Sequence, residues 1–170
     1  MKNAMYHKVP AYCMVPNKKG EWISVGELWF YSAILDATLI VPAYSVNNLA
    51  SIPRPFRNAF PVNGVSRPAA ALHDDIYEKR GTVEAFKNGT RTVLNLSRQE
   101  ADAVFREALQ ARRLDYYMSL PREIRNALAD LGRDSFFVDA DKQQLPLSGS
   151  IQTFLMHSAV RIGGGLHWSR

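Results

Sequence analysis

Two hydrophobic periods follow one another along this chain, and the order in which they come constrains the fold more than any other feature. Between Glu21 and Tyr44 aromatic and β-branched residues crowd together as Trp22, Ile23, Val25, Trp29, Phe30, Tyr31 and Ile34, then Thr38, Leu39, Ile40 and Val41, with Gly20, Gly26 and Asp36 as punctuation. That density at short intervals predicts two or three short strands of a small sheet. From residue 66 onward apolar residues recur every three or four positions instead, the spacing of one helix face. Strands first and helices afterwards predict an α+β fold, a small N-terminal antiparallel β-sheet followed by an antiparallel helical core. The 170 residues suit a single domain over 1–170, and a hydrophobic fraction of 46% promises a real core.

The helices announce their ends. Ser66 can cap a helix from about Arg67 to Arg80 with Gly81 as its stop, and Ala69, Leu72, His73, Ile76 and Tyr77 form its apolar side. Ser97-Arg98-Gln99-Glu100 is a capping box opening a second helix to about Arg113, with Ala101, Val104, Phe105, Ala108 and Leu109 on one stripe. The stretch between them, Gly81 to Leu96, suits a hairpin or a loose crossing. Pro121 and Gly132 bracket a third helix with Ile124, Ala127, Leu128 and Leu131 on one face, and Ile151 to Ile162 reads as a fourth ended by Gly163-Gly164-Gly165. Ser45 to Pro68, rich in Pro and Asn, is a long loop of the kind that more often carries function than not.

Several function classes fall away. The net charge of +5 invites a polyanion partner, but the excess sits at the two ends, and residues 73–142 carry 12 basic and 13 acidic side chains interleaved as on solvated helix faces. No specific nucleic-acid binding is therefore expected. Cys13 is the single cysteine, which rules out an intrachain disulfide framework. His7, Lys8 and Pro10 interrupt the start, so no signal peptide is expected, and no window approaches the ~18–20 apolar residues of a membrane span.

The informative segment is Ala69-Ala70-Ala71-Leu72-His73-Asp74-Asp75-Ile76-Tyr77. On a helix His73 and Tyr77 lie one turn apart on the apolar face, while Asp74 is rotated by about 100°. A histidine on a packed face needs a partner for one ring nitrogen, and a carboxylate there sets its tautomer and raises its basicity. Asp102, one step off the apolar stripe of the second helix, is the best placed candidate. If the two helices pack antiparallel, Asp102 reaches His73 and Tyr77 together and the histidine can serve as a general base, leaving Asp74 free for a cation. The same residues equally suit a buried pair bracing two helices, and Asp74 and Asp102 equally suit the helix dipole.

This His-Asp pair, with Tyr three residues after the Asp and an Asp on a second helix, resembles the catalytic core of phospholipase A2 over Ala69 to Phe105. The resemblance implies His73 as base, Tyr77 and Asp102 as its supports, and Asp74 as a ligand of calcium. Half-cystines that flank the motif in the secreted enzymes are replaced here by Ala71, Leu72 and Ile76, and Asn47 to Pro53 stands where their glycine-rich calcium loop would be. A longer resemblance, carried by Leu49 to Arg54, Ala70 to Tyr77, Ser97 to Phe105 and Ala159 to Gly164, is to an uncharacterised family of small proteins encoded by tailed phages and prophages. Members usually have Thr-Asp where this chain has Asn47-Asn48, which makes Asn48 the second candidate metal ligand, and residues 113–148 then read as a helical insertion. The implied setting is a virion or the host cytoplasm, with other virion proteins or host membrane lipid as partners. Two functions stay open: a calcium-dependent ester hydrolase, and a non-enzymatic tail or assembly component.

Overall fold

The computed structural model describes residues 3–14, 21–47, 66–119 and 121–130. Along the chain these form β1 (Met5–Lys8), β2 (Tyr12–Met14), β3 (Trp22–Ser24), β4 (Leu28–Ser32), β5 (Ala37–Val41), β6 (Val46–Asn47), α1 (Arg67–Glu78), β7 (Thr82–Lys87), β8 (Thr90–Asn95), α2 (Arg98–Ser119) and α3 (Arg122–Asp130). Where two or three strands of one sheet are anticipated between residues 21 and 44, the chain forms β3, β4 and β5, and β3 belongs to a different sheet from the other two. Alternation drives them: in β4 Leu28, Phe30 and Ser32 are buried while Trp29 and Tyr31 are half-buried, so successive side chains point to opposite faces.

The small sheet leading into a helical core is not what the chain builds. Two antiparallel sheets dominate the described residues, five-stranded in the order β1-β4-β5-β7-β8 and three-stranded in the order β2-β3-β6, with only three helices beside them. Strands are spread through the sequence rather than gathered at its start. The decisive element is the β7–β8 hairpin. Asn88 and Gly89 take φ of 52° and 76°, the backbone of a two-residue turn whose twist matches the flanking strands, and Asn-Gly is the preferred pair for it. The hairpin comes after α1, yet β7 pairs with β5 through Thr38↔Phe86, Leu39↔Ala85 and Ile40↔Glu84. A sheet begun before the helices is thus completed between them.

Helices α1 and α2 cover one face of the large sheet. Leu28, Phe30, Leu39, Val41, Val83 and Ala85 from the strands meet Leu72, Ile76, Val104, Phe105 and Leu109 from the helices in one buried cluster. Each such large side chain contributes roughly 1.5–3 kcal/mol relative to exposure. Tyr6 of β1 adds its ring against Phe30 at 4.9 Å and donates its hydroxyl to the carbonyl of Ala108 at 3.2 Å, tying the edge strand to α2.

Termini follow local rules with small departures. The capping box at Ser97 forms as anticipated: the Ser97 amide and hydroxyl donate to Glu100 Oε2 at 2.8 and 2.7 Å, and those bonds hold the Glu100 carboxyl below its usual range. Helix α2 then continues to Ser119, six residues past its anticipated end at Arg113. At the end of α1 the backbone takes positive φ at Arg80, 51°, and again at the anticipated stop Gly81, 89°, whose amide closes the turn onto the Ile76 carbonyl at 2.8 Å. Ser66 makes no side-chain cap bond. Helix α3 starts after Pro121 as anticipated, but Ile124 is 47% exposed. The anticipated fourth helix, Ile151 to Ile162, lies outside the described residues, as does most of 113–148.

One long-range contact sets how α2 sits on the sheet. The carboxylate of Glu107 accepts from Ser32 Oγ at 2.6 Å and from the amides of Ala33 and Ile34 at 2.9 and 3.2 Å, clamping the β4–β5 turn. Glu107→Ala is expected to lower stability by about 1–3 kcal/mol, since two turn amides lose a charged acceptor. Hydrogen exchange at Ala33 and Ile34 should accelerate with it, and unchanged protection there would contradict the clamp.

Candidate functional site

Every residue from Pro68 to Tyr77 in α1 is buried, so this helix is enclosed on all sides and not only along its apolar stripe. His73 is 1% exposed and packed between two rings, Tyr77 at 4.0 Å and Phe105 at 4.7 Å between centroids. Asp102, 3% exposed in the first turns of α2, meets both site residues of α1. Tyr77 donates its hydroxyl to Asp102 Oδ1 at 2.5 Å, and His73 Nε2 lies 3.6 Å from the same oxygen. The first is a short hydrogen bond; the second is an electrostatic contact just beyond hydrogen-bond range. Arg98, one turn before Asp102, approaches its Oδ2 to 4.0 Å.

The electrostatics follow from that crowding. Burial pushes the Asp102 carboxyl up, but the close approach of His73, the hydrogen bond from Tyr77 and the charge of Arg98 outweigh it and hold the group below its ordinary value. Burial, then the bond to Asp102, drives the Tyr77 phenol well above its usual range, so it remains a donor. On the neighbouring turn, burial raises the Asp75 carboxyl despite its ion pair with Lys79 at 2.8 Å.

These shifts have opposite signs in pH. The depressed Asp102 contributes stability that is fully present above the unfolded carboxyl value of about 3.9 and is lost as pH falls through its lower folded value. The raised Asp75 contributes stability only below that range and loses it as pH rises through its folded value. The urea midpoint is therefore expected to fall more between pH 5 and pH 2 in the wild type than in Asp102→Asn. Parallel curves for the two proteins would contradict the role given to Asp102.

Among the anticipated site residues, then, His73, Tyr77 and Asp102 come together. Asp74 is 4% exposed and already engaged in an interaction, whereas the sequence suggests a residue turned aside and free for a cation. Asn48 lies outside the described residues. Its neighbour Asn47 is 3% exposed at the end of β6, directly across from Trp22, and among the described residues its side-chain amide has no hydrogen-bond partner. Calcium takes 6–8 oxygen ligands. Among the described residues no three His, Cys, Asp or Glu side chains converge.

Three contributors are not singled out by reading the sequence for chemistry. Arg98 is detectable in principle as the i, i+4 partner of Asp102. Phe105 shows only as a stripe residue, and Glu107 as one charge among many. Beside the cluster, Asp102 also lines an open groove together with Gln99 and Arg106.

Two antiparallel sheets carrying a helix pair, with a buried His-Asp-Tyr cluster between the helices, define the class of protein. Residues 23–120 match the family described as "Protein of unknown function (DUF1353)", and the chain belongs to that family. The matched span runs from β3 to the end of α2 and contains His73, Asp74, Tyr77 and Asp102. No curated protein and no solved structure matches the chain. Among the described residues no helix is long and apolar enough to cross a membrane.

Proposed function

We propose that the chain is a phage-encoded virion-associated or accessory protein whose His73, Asp102 and Tyr77 form a phospholipase-A2-like hydrolytic site. The phage setting rests on the resemblance carried by Leu49 to Arg54, Ala70 to Tyr77 and Ser97 to Phe105. The chemistry rests on one observation: the Asp102 carboxylate faces Nε2 of His73 and not Nδ1, although among the described residues neither buried ring nitrogen has a partner within hydrogen-bond range. A carboxylate on that side favours the tautomer with its proton on Nε2 and leaves the Nδ1 lone pair as the base.

The step balances without a metal. Nδ1 takes a proton from water as its oxygen attacks an ester carbonyl, and the tetrahedral intermediate collapses by expelling an alkoxide, which takes the proton back from Nδ1. Tyr77, held as a donor to Asp102, keeps that carboxylate oriented. Calcium remains part of the proposal through Asp74 and Asn48. Calorimetric titration of calcium into wild type and Asp74→Ala is expected to give heat only in the wild type, and no heat in either removes the ion.

Hydrolysis of a short-chain nitrophenyl ester should fall about 10²–10⁴-fold in His73→Ala. Equal rates in the two proteins would overturn the enzymatic reading. The burial of His73 at 1% exposure favours a second reading, in which the motif braces α1 against α2 in a non-enzymatic tail or assembly component. In that case His73→Ala loses about 1–3 kcal/mol of stability and no activity, and the protein is present stoichiometrically in purified particles.

A further inference from the structure

A groove of about 650 Å³ runs along α2 beside the β4–β5 turn, a size suited to a small molecule. Gln99, Ala103, Arg106 and Gln110 line it at spacings of four, three and four, which places them in one row on the helix surface. Ile34, 57% exposed at the tip of the turn, forms an apolar wall that the Glu107 clamp holds in place.

Charge decides what such a groove can accept. Both oxygens of Glu107 are taken up by Ser32 and the amides of Ala33 and Ile34. Asp102 is held by Tyr77, with His73 and Arg98 close by. The two carboxylates of the lining are thus committed to the protein itself. The exposed guanidinium of Arg106 has no ion-pair partner among the described residues. What remains open to a ligand is one planar cation, two carboxamides and an apolar wall.

We propose that this groove binds a ligand carrying a carboxylate or phosphate oxyanion beside an apolar group. The oxyanion sits on the Arg106 guanidinium, whose fork of N–H donors matches two oxygens at once. The carboxamide of Gln110, one turn from Arg106, donates to the same oxyanion, and the apolar group lies against Ile34 and Ala103. Because Asp102 belongs to both the groove and the His73 cluster, the substrate of the site would be an anionic ester; that consequence rests on the hydrolytic reading above.

Calorimetry with benzoate, inorganic phosphate and benzyl alcohol tests the groove on the intact chain. Benzoate is expected to bind the wild type and to lose about tenfold or more in affinity in Arg106→Gln, the worth of a charge-assisted contact. Arg122→Gln, an exposed arginine on α3, should bind benzoate like the wild type. Phosphate displacing benzoate at lower concentration would assign the oxyanion as phosphoryl, and the reverse order would assign it as carboxylate. Equal benzoate affinity in all three proteins, or benzyl alcohol binding as well as benzoate, would overturn the proposal. Hydrolysis of a nitrophenyl ester carrying a free carboxylate, with an unaltered KM in Arg106→Gln, would remove the groove and leave the His73 reading standing. Arg106-dependent benzoate binding without any hydrolysis would do the opposite.

Discussion

Asp102→Ala is expected to destabilise the protein by about 2–4 kcal/mol, because two buried groups lose their partner at about 1–3 kcal/mol each. The Tyr77 hydroxyl loses the acceptor it holds at 2.5 Å, and His73 Nε2 loses the carboxylate at 3.6 Å. The Arg98 contribution is small, since that side chain is a third exposed and its approach is 4.0 Å. Asp102→Asn retains an oxygen for Tyr77 and is expected to cost about 1 kcal/mol, the value of exchanging a charged acceptor for a neutral one. For a chain of this length the alanine variant should melt about 5–15 °C lower. Equal losses in the alanine and asparagine variants would show that the charge of the carboxylate, and not the oxygen it offers Tyr77, holds the cluster together.

Phe105→Ala should cost about 3–5 kcal/mol, the range for deleting a buried aromatic ring and leaving a cavity. Phe105 is 1% exposed, belongs to the central cluster and lies 4.7 Å from the His73 ring with the two planes tilted at 46°. The loss therefore couples the core to the site: the histidine gains room to leave the position that Asp102 faces. Phe105→Leu, which nearly conserves volume, is expected to stay within about 1.5 kcal/mol. Urea unfolding of the two variants checks the difference, and a leucine variant as unstable as the alanine one would mean that the site, not the core, limits stability.

Legibility in the sequence followed the distance over which each interaction acts. The capping box at Ser97 and Glu100 was readable because both partners lie within one turn, and the placement of His73 and Tyr77 on one face was readable for the same reason. The Asn88-Gly89 turn is just as local, and it marks the hairpin that the strand-first, helix-after pattern underweights. Strands β7 and β8 mix Thr, Glu, Lys and Arg with Val, Ala, Phe and Leu, so the sequence leaves a hairpin and a loose crossing both open for Gly81 to Leu96, and the hairpin is what forms. Strands β1 and β2, four and three residues long in a segment broken by Pro10, are too short to show a period at all.

The sequence by itself determined where α1 and α2 begin, that His73 and Tyr77 share a face, that two or three strands lie between residues 21 and 44, and that these residues hold no intrachain disulfide. Each depends on contacts a few residues apart or on composition alone. Only the tertiary structure decided that strands from before and after α1 share one sheet, that Glu107 clamps a turn 75 residues upstream of it, and that Asp102 meets both His73 and Tyr77. Strand pairing and helix docking are chosen by how the whole chain hides its apolar faces while satisfying its buried polar groups, and no short window of sequence contains that balance.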